Sequence, residues 1–152
     1  MLRRDIRYQA AIVDDHRVLL LYVRDRETGE LFWLLPGGGR EAGETAEECV
    51  CREMREETGL EVAVLGMLFA VPDFPGGIYD WLHTYHCRVL SGTARPGSEP
   101  EIDDDGHATI RDLAWLDLRD PAGWDLAVVQ DPIMFPLLQQ VRAALGYGEV
   151  GR

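Results

Sequence analysis

Positive charge is scarce in this sequence. The chain has 152 residues, and 15 basic side chains, all of them arginine, stand against 27 aspartates and glutamates, which leaves a net charge of −12. The longest basic cluster is the pair Arg3 and Arg4, so no basic patch overcomes the repulsion of a polyanion. The composition therefore argues against nucleic acid as a partner. It does not exclude a small phosphorylated ligand, because a divalent cation inverts the local field.

Long apolar runs and cysteines are also scarce. The longest apolar run, AVLGMLFAV at 63–71, is about half as long as a membrane-spanning helix, so we expect no membrane contact. No apolar segment follows the basic residues near the N-terminus, and we expect no secretory signal. Three cysteines, an odd number, argue against a disulfide framework. These absences predict a cytoplasmic protein.

The order of the periodic segments predicts a single domain over residues 1–152 with an α+β fold. Short apolar runs between turn residues predict strands, and longer amphipathic stretches predict helices. We place strands near 7–13, 18–24, 31–35, 62–71, 79–90 and 107–116, and helices at 46–58 and 133–145. Strands on both sides of a central helix predict a mixed β-sheet sandwiched between α-helices.

The first predicted helix has clear end signals. Thr45 and Glu48 have the spacing of a capping box, and Gly59 is a typical helix stop. At 100° per residue, one side of this helix collects apolar residues and should be buried against the sheet. These residues are Val50, Cys51 and Met54.

Three carboxylates lie beside that apolar side. Glu53, Glu56 and Glu57 are spaced i, i+3, i+4 and fall within an arc of about 100°, where like charges repel. Arg52 precedes Glu56 by four residues and can form an ion pair with it. One interpretation is a solvated acidic face. The other is a site for a hard divalent cation, which prefers carboxylate oxygens.

The segment before this helix favours the cation site. It reads PGGGREAGE at 36–44, and a solvated helix does not require so many glycines. Such a segment is expected to be a flexible loop that bends tightly and brings its backbone, with Glu41 or Glu44, beside the same metal.

The fixed positions of this region resemble the Nudix box. The pattern is Gly38, five residues, Glu44, seven residues, Arg52-Glu53, apolar Met54, one residue, Glu56-Glu57, one residue, Gly59 and apolar Leu60. Specified residues at so many fixed spacings rarely coincide by chance. The box covers residues 38–60, and the flanking strand pattern is also similar to the Nudix fold.

The resemblance implies a hydrolase that cleaves a nucleoside diphosphate linked to another group X. It implies Mg²⁺ as the cofactor, with Mn²⁺ as a substitute, and Gly38, Glu53, Glu56 and Glu57 around the metal. Glu53, Glu56, Glu57 and Arg52 are then the catalytic set, with Arg52 holding Glu56. Gly37 and Gly39 are expected to contact the substrate through their backbone.

The resemblance leaves the substrate and the assembly open. ADP-ribose, a sugar nucleotide and an ordinary or modified nucleoside triphosphate are competing small nucleotide-derived substrates. A homodimer is compatible with the family. The alternative function is a catalytically inert Nudix-fold domain that senses a nucleotide, although such a domain is expected to lose box glutamates or Arg52.

The general base also stays open. Members of the family use either a box glutamate or a carboxylate from a loop before a late strand. An acidic loop rich in glycine and proline occupies 91–106 here, and it offers Glu101, Asp103 and Asp104. The alternative for each of them is an exposed, solubilising loop residue.

Aromatic side chains are the candidates for nucleobase recognition. Tyr79 and Trp81 belong to an alternating row that shares one face of a predicted strand, and Trp33 lies just before the glycines. Each could stack on a base, or each could be an ordinary core residue.

Overall fold

The computed structural model describes residues 4–25, 27–75, 77–97 and 108–147. The strands are β1 (Arg4–Asp14), β2 (Arg17–Asp25), β3 (Leu31–Leu34), β4 (Gly37–Gly38), β5 (Glu61–Pro72), β6 (Tyr79–Ser91) and β7 (Ala108–Asp117). The helices are α1 (Ala46–Thr58), α2 (Leu126–Val129) and α3 (Met134–Ala144), with a 3-10 turn at Pro121–Gly123.

The strands form one mixed sheet centred on β1. Its order is β3-β2-β1-β6-β5, with β4 paired to β1 and β7 paired to β2. Strands β1 and β6 run parallel, with Tyr8 opposite His83, and every other pair among the described residues is antiparallel. A parallel pair requires a long connection, and here α1 lies within it. Strand β1 therefore lies beside both the glycine segment and β6.

Alternate residues of β1 enter two cores on opposite faces of the sheet, as the period of a strand dictates. Ala10 and Ile12 pack with Val50 and Met54 of α1 on one face. Ala11 lies in the core that α2 and α3 form on the other face. Helices α1 and α3 thus cover opposite faces, and the predicted mixed sheet between helices is confirmed.

Helix α1 begins and ends at the predicted residues. The Thr45 side chain accepts a hydrogen bond from the Glu48 N–H at 3.1 Å, and the Glu48 carboxylate accepts one from the Thr45 N–H at 2.9 Å. Gly59 ends the helix at φ 77°, a left-handed conformation that suits a residue without a Cβ. The predicted apolar face needs one correction, because Cys51 is half-buried whereas Cys49 is fully buried.

The predicted strands and closing helix are present within a few residues of their expected limits. The main correction concerns 37–38, where the expected flexible loop is a short strand, Gly37–Gly38, that pairs with β1. The short helix α2 and the 3-10 turn were not predicted, because segments of three or four residues have no measurable helical period. In the described part of the chain, every helix is too short or too polar to span a membrane.

Candidate active site

Arg52 joins most of the charged residues of the box. Its Nε and Nη2 atoms donate to the two carboxylate oxygens of Glu44, at 2.5 and 3.1 Å. Its Nη1 donates to Glu53 at 3.1 Å and to Glu56 at 3.2 Å, and its Nη2 also donates to the Gly39 carbonyl at 3.1 Å. The hydrogen bonding between Arg52 and Glu44 is the main reason why the pKa of Glu44 lies below its ordinary value. The same interaction raises the pKa of Arg52. One guanidinium therefore connects the glycine segment to the carboxylates of α1.

Glu57 is hydrogen-bonded to the sheet. Its carboxylate accepts a hydrogen bond from the Gly37 N–H at 2.8 Å, and the side chain is 1% exposed. Glu53 is also 1% exposed, because the row Cys49, Glu53, Glu57 lies next to the apolar row of α1. A buried carboxylate requires hydrogen bonds to replace its hydration. The burial of Glu57 therefore depends on a backbone donor from β4, and that of Glu53 on the Arg52 side chain of the same helix.

The glycines of β4 permit close contact with both β1 and α1. A Cβ on Gly37 would lie 2.6 Å from the Cα of Gln9, and one on Gly38 would lie 2.6 Å from the Cδ of Glu53. Both distances are well inside van der Waals contact, so only glycine fits. The expectation that these glycines provide flexibility is wrong for Gly37 and Gly38, since they provide space. Both carboxylate oxygens of Glu44 accept hydrogen bonds from Arg52, and its place beside the metal stays a prediction.

The carboxylates of α1 fit a hard divalent cation by their chemistry. Glu53, Glu56 and Glu57 project from consecutive turns of α1, and the backbone of Gly38 lies against Glu53. Among the described residues, no three carboxylate, histidine or cysteine side chains surround a common cation position, since these glutamates face Arg52 and Gly37. One carboxylate oxygen of each glutamate accepts a hydrogen bond within the protein, from Arg52 or from the Gly37 backbone.

The predicted aromatic residues have different environments. Tyr79 is buried beside Gly39, its phenol is hydrogen-bonded to Arg4, and burial raises its pKa. Trp81 is 46% exposed on β6. The Trp33 ring lies 4.4 Å from the Tyr22 ring, and its Nε1 is buried without a hydrogen-bond partner among the described residues. Tyr79 adjoins the glycine segment, whereas the aromatic row as a whole does not form one surface.

The first part of the acidic loop lies against the C-terminal end of α1. The Gly97 N–H donates to the Glu57 carbonyl at 2.9 Å, and the Arg95 N–H donates to the Thr58 carbonyl at 2.9 Å. The predicted candidates for the general base, Glu101, Asp103 and Asp104, lie outside the described residues. The chain therefore enters this loop beside the helix that carries the box glutamates.

A buried polar network on β1 and β6 was not predicted. The Gln9 Nε2 donates to the Thr84 hydroxyl at 3.0 Å, and the Arg7 Nε donates to the side-chain amide oxygen Oε1 of Gln9 at 3.3 Å. The Arg7 Nη2 also donates to the Leu35 carbonyl at 2.8 Å. The signal in the sequence is a glutamine inside the otherwise apolar strand segment RYQAAIV.

The comparisons with known proteins agree with this fold. The family model described as NUDIX domain matches residues 4–136, so this chain belongs to the Nudix family, and the predicted membership is confirmed. The crystal structure of a MutT NUDIX hydrolase from Burkholderia pseudomallei has a TM-score of 0.62 and 28% identity, covering 97% of this chain and 99% of that one.

Several relatives have names that state a substrate, and two of them illustrate the range. The ADP-ribose pyrophosphatase of Methanocaldococcus jannaschii is 41% identical over 64 residues, which cover 41% of this chain and 38% of the relative. The NAD-capped RNA hydrolase NudC of Vibrio atlanticus is 28% identical over 109 residues, which cover 71% of this chain and 35% of the relative. Across four relatives, this chain spans 27% to 41% of their length.

Proposed function

We propose that this chain is a Mg²⁺-dependent pyrophosphohydrolase that cleaves a nucleoside diphosphate linked to a group X. The observation that carries the proposal is the Arg52 network, which gathers Glu44, Glu53 and Glu56 on one guanidinium. A merely solvated acidic face has no need to bury Glu53 beneath an arginine and a glycine backbone. An inert sensing domain has no need to keep every charged residue of the box.

In this proposal Glu53, Glu56 and Glu57 hold Mg²⁺, or Mn²⁺ in its place, together with the backbone of Gly38. When bound, the cation neutralises charge on the pyrophosphate and polarises the attacking water. Arg52 keeps Glu53 and Glu56 close together and offsets their repulsion before the cation binds. The general base is one of these glutamates or a carboxylate of the acidic loop, namely Glu101, Asp103 or Asp104.

We propose a small nucleotide derivative as the substrate and the cytoplasm as its location. ADP-ribose or a sugar nucleotide is one class, and it is supported by the name of the relative from Methanocaldococcus jannaschii. An ordinary or modified nucleoside triphosphate is the other class. Capped RNA is disfavoured by the net charge of −12, although the name of NudC makes it a necessary member of any assay panel.

The test is hydrolysis of a panel with and without Mg²⁺. It contains ADP-ribose, sugar nucleotides, dinucleoside polyphosphates, nucleoside triphosphates, NAD and a short NAD-capped RNA. Glu57→Gln removes a proposed ligand, and Glu47→Gln is the matched control because Glu47 is exposed on the same helix. We expect Mg²⁺-dependent turnover of at least one compound, preserved in Glu47→Gln and lost in Glu57→Gln.

Two results would contradict this proposal in different ways. Equal turnover by Glu57→Gln and the wild type would remove Glu57 from the site. An absence of turnover across the panel, with a nucleotide still raising the melting temperature, would favour the sensing domain over the hydrolase.

A further inference from the structure

Arg7, Gln9 and Thr84 form a buried polar network at positions that apolar residues could fill without harm to the fold. Gln9 is 3% exposed and Thr84 is 0% exposed, on strands whose neighbouring residues pack in apolar cores. Burying an amide and a hydroxyl is unfavourable unless each is hydrogen-bonded, and a buried polar chain fixes the orientation of its members. The end of this chain nearest to solvent is the guanidinium of Arg7, which is half-buried. The network therefore orients Arg7.

Arg7 has donors that the described protein does not use. Its guanidinium donates to Gln9 through Nε and to the Leu35 carbonyl through Nη2. A guanidinium has five N–H donors, so donors remain on Nη1 and Nη2. Among the described residues no carboxylate forms an ion pair with Arg7, in a chain with 27 aspartates and glutamates. An oriented arginine without a carboxylate partner is suited to a ligand that carries negative charge.

The position of Arg7 relates it to the candidate active site. In the register of β1 and β4, Tyr8 lies opposite Gly38, so Arg7 is one residue from that pair. Leu35, which accepts the Arg7 hydrogen bond, precedes Gly37 by two residues. The Gly37 N–H in turn binds the Glu57 carboxylate. Arg7 and the proposed metal ligand Glu57 are therefore hydrogen-bonded to the same backbone segment, 35–37.

We propose that Arg7 binds a phosphate oxygen of the nucleoside diphosphate part of the substrate, and that Gln9 and Thr84 position it. The planar fork of an arginine matches phosphate geometry and gives strong, charge-assisted hydrogen bonds. In a chain with a net charge of −12, it supplies positive charge where a dianionic ligand would otherwise be repelled. This inference rests on the proposed function for the identity of the ligand.

The test measures binding rather than turnover, so it does not depend on catalysis. We would titrate the wild type with ADP, GDP, CDP and UDP by calorimetry, in buffer without metal and again with CaCl₂. Arg7→Gln removes the charge, and Arg88→Gln removes the same charge from an exposed position on β6 as a matched control. For the tightest diphosphate, Arg7→Gln should weaken affinity by about tenfold to a hundredfold, as expected for a charge-assisted pair. Arg88→Gln should bind like the wild type.

Two further measurements separate phosphate binding from a general effect on folding. The nucleoside of the same base, which has no phosphate, should bind Arg7→Gln and the wild type equally. Thr84→Val removes the hydroxyl that Gln9 contacts without changing any charge, and should weaken diphosphate binding several-fold. Arg7→Lys, which keeps the charge but not the fork, should lie between Arg7→Gln and the wild type.

The contradicting outcomes are equally definite. Equal diphosphate affinity in Arg7→Gln and the wild type overturns the proposal, and so does the absence of wild-type binding to every diphosphate in both buffers. An equal loss of affinity for nucleoside and diphosphate assigns Arg7 to the base or to folding, and also overturns it. If the panel of the preceding section gives no turnover while diphosphate binding still depends on Arg7, the hydrolase proposal fails and this inference stands.

Discussion

The buried carboxylate of Glu57 accepts a 2.8 Å hydrogen bond from the backbone N–H of Gly37, twenty residues earlier in the chain. Glu53 and Glu56 accept hydrogen bonds from the side chain of Arg52. The box carboxylates therefore have two supports, one from the sheet backbone and one from a side chain on α1. Changes to the two supports should have different consequences for stability and for the site.

Gly37→Ala should destabilise the protein through the sheet. The added Cβ would lie 2.6 Å from the Cα of Gln9, so β4 must move away from β1. Overpacking of this kind costs about 1–3 kcal/mol. The movement also withdraws the N–H that binds Glu57. Urea unfolding should show a lower midpoint with an unchanged slope.

Gly39→Ala is the control for that experiment. Its Cβ would meet Arg4 Nη1 at 3.4 Å and the Tyr79 hydroxyl at 3.5 Å, and both atoms are at the ends of side chains. We expect a change within about 0.5 kcal/mol. If Gly37→Ala and Gly39→Ala unfold at the same urea concentration, the close approach of β4 to β1 is not a constraint on the fold.

Arg52→Lys should impair the site more than the fold. Lysine keeps the charge, but one ammonium group cannot donate to both oxygens of Glu44 and also reach Glu53 and Glu56. Loss of residues that orient metal ligands typically lowers metal affinity or activity 10- to 100-fold, and we expect about that range for the Mg²⁺-dependent rate. Mg²⁺ affinity measured by calorimetry should fall in parallel.

The matched control is Arg55→Lys, on the same helix. Arg55 is exposed, and its ion pair among the described residues is with Glu61 at 3.4 Å, which a lysine can replace. Its rate and Mg²⁺ affinity should equal those of the wild type. A wild-type Mg²⁺ affinity in Arg52→Lys would show that the fork to Glu44 has no role in placing the other glutamates.

The limits of α1 could be predicted because the signals at its ends are local, namely the Thr45 capping box and Gly59. The burial of Glu57 could not be predicted, since its donor Gly37 belongs to β4, twenty residues before it in the chain. The pairing of Gln9 with Thr84 likewise joins residues 75 apart, and only the parallel register of β1 and β6 brings them together. Local spacing thus identified the box, whereas the environment of each side chain depends on contacts between distant segments.

The three cysteines should differ in reactivity. Burial raises the pKa of Cys49 and Cys87 to about 12, and both side chains are fully buried. At pH 8 only about one thiol in ten thousand is then ionised, and the thiolate is the reactive form. Burial also raises the pKa of Cys51, which is half-buried and therefore more accessible. In the native protein Ellman's reagent should react slowly with Cys51 and far more slowly with the other two.

Two comparisons check this assignment. In denaturant all three thiols should react quickly, because burial no longer suppresses ionisation or access. Cys51→Ser should abolish the slow native reaction. Rapid native reaction of more than one thiol at pH 8 would contradict the burial of Cys49 and Cys87.

The ion pair between Glu44 and Arg52 should make stability depend on pH in the acid range. The Arg52 hydrogen bond holds the pKa of Glu44 below its ordinary value of 4.5, so the folded state favours the charged form more than the unfolded state does. This contribution to stability is fully present above about pH 4.5 and is lost as the pH falls through the folded pKa. The difference in melting temperature between the wild type and Glu44→Gln should therefore be constant from pH 6 to 7 and shrink below pH 4.5.

Replacement of Arg52 tests the cause of this pH dependence. In an Arg52→Gln background the hydrogen bond that lowers the pKa of Glu44 is absent, so the added change Glu44→Gln should alter the melting temperature by a similar amount at each pH. If the melting temperatures of the wild type and Glu44→Gln differ by the same amount at pH 4 and pH 7, the Glu44 carboxylate gains nothing from Arg52 on folding. The fork would then serve only to place Arg52 beside Glu53 and Glu56, and its effect would appear in Mg²⁺ affinity alone.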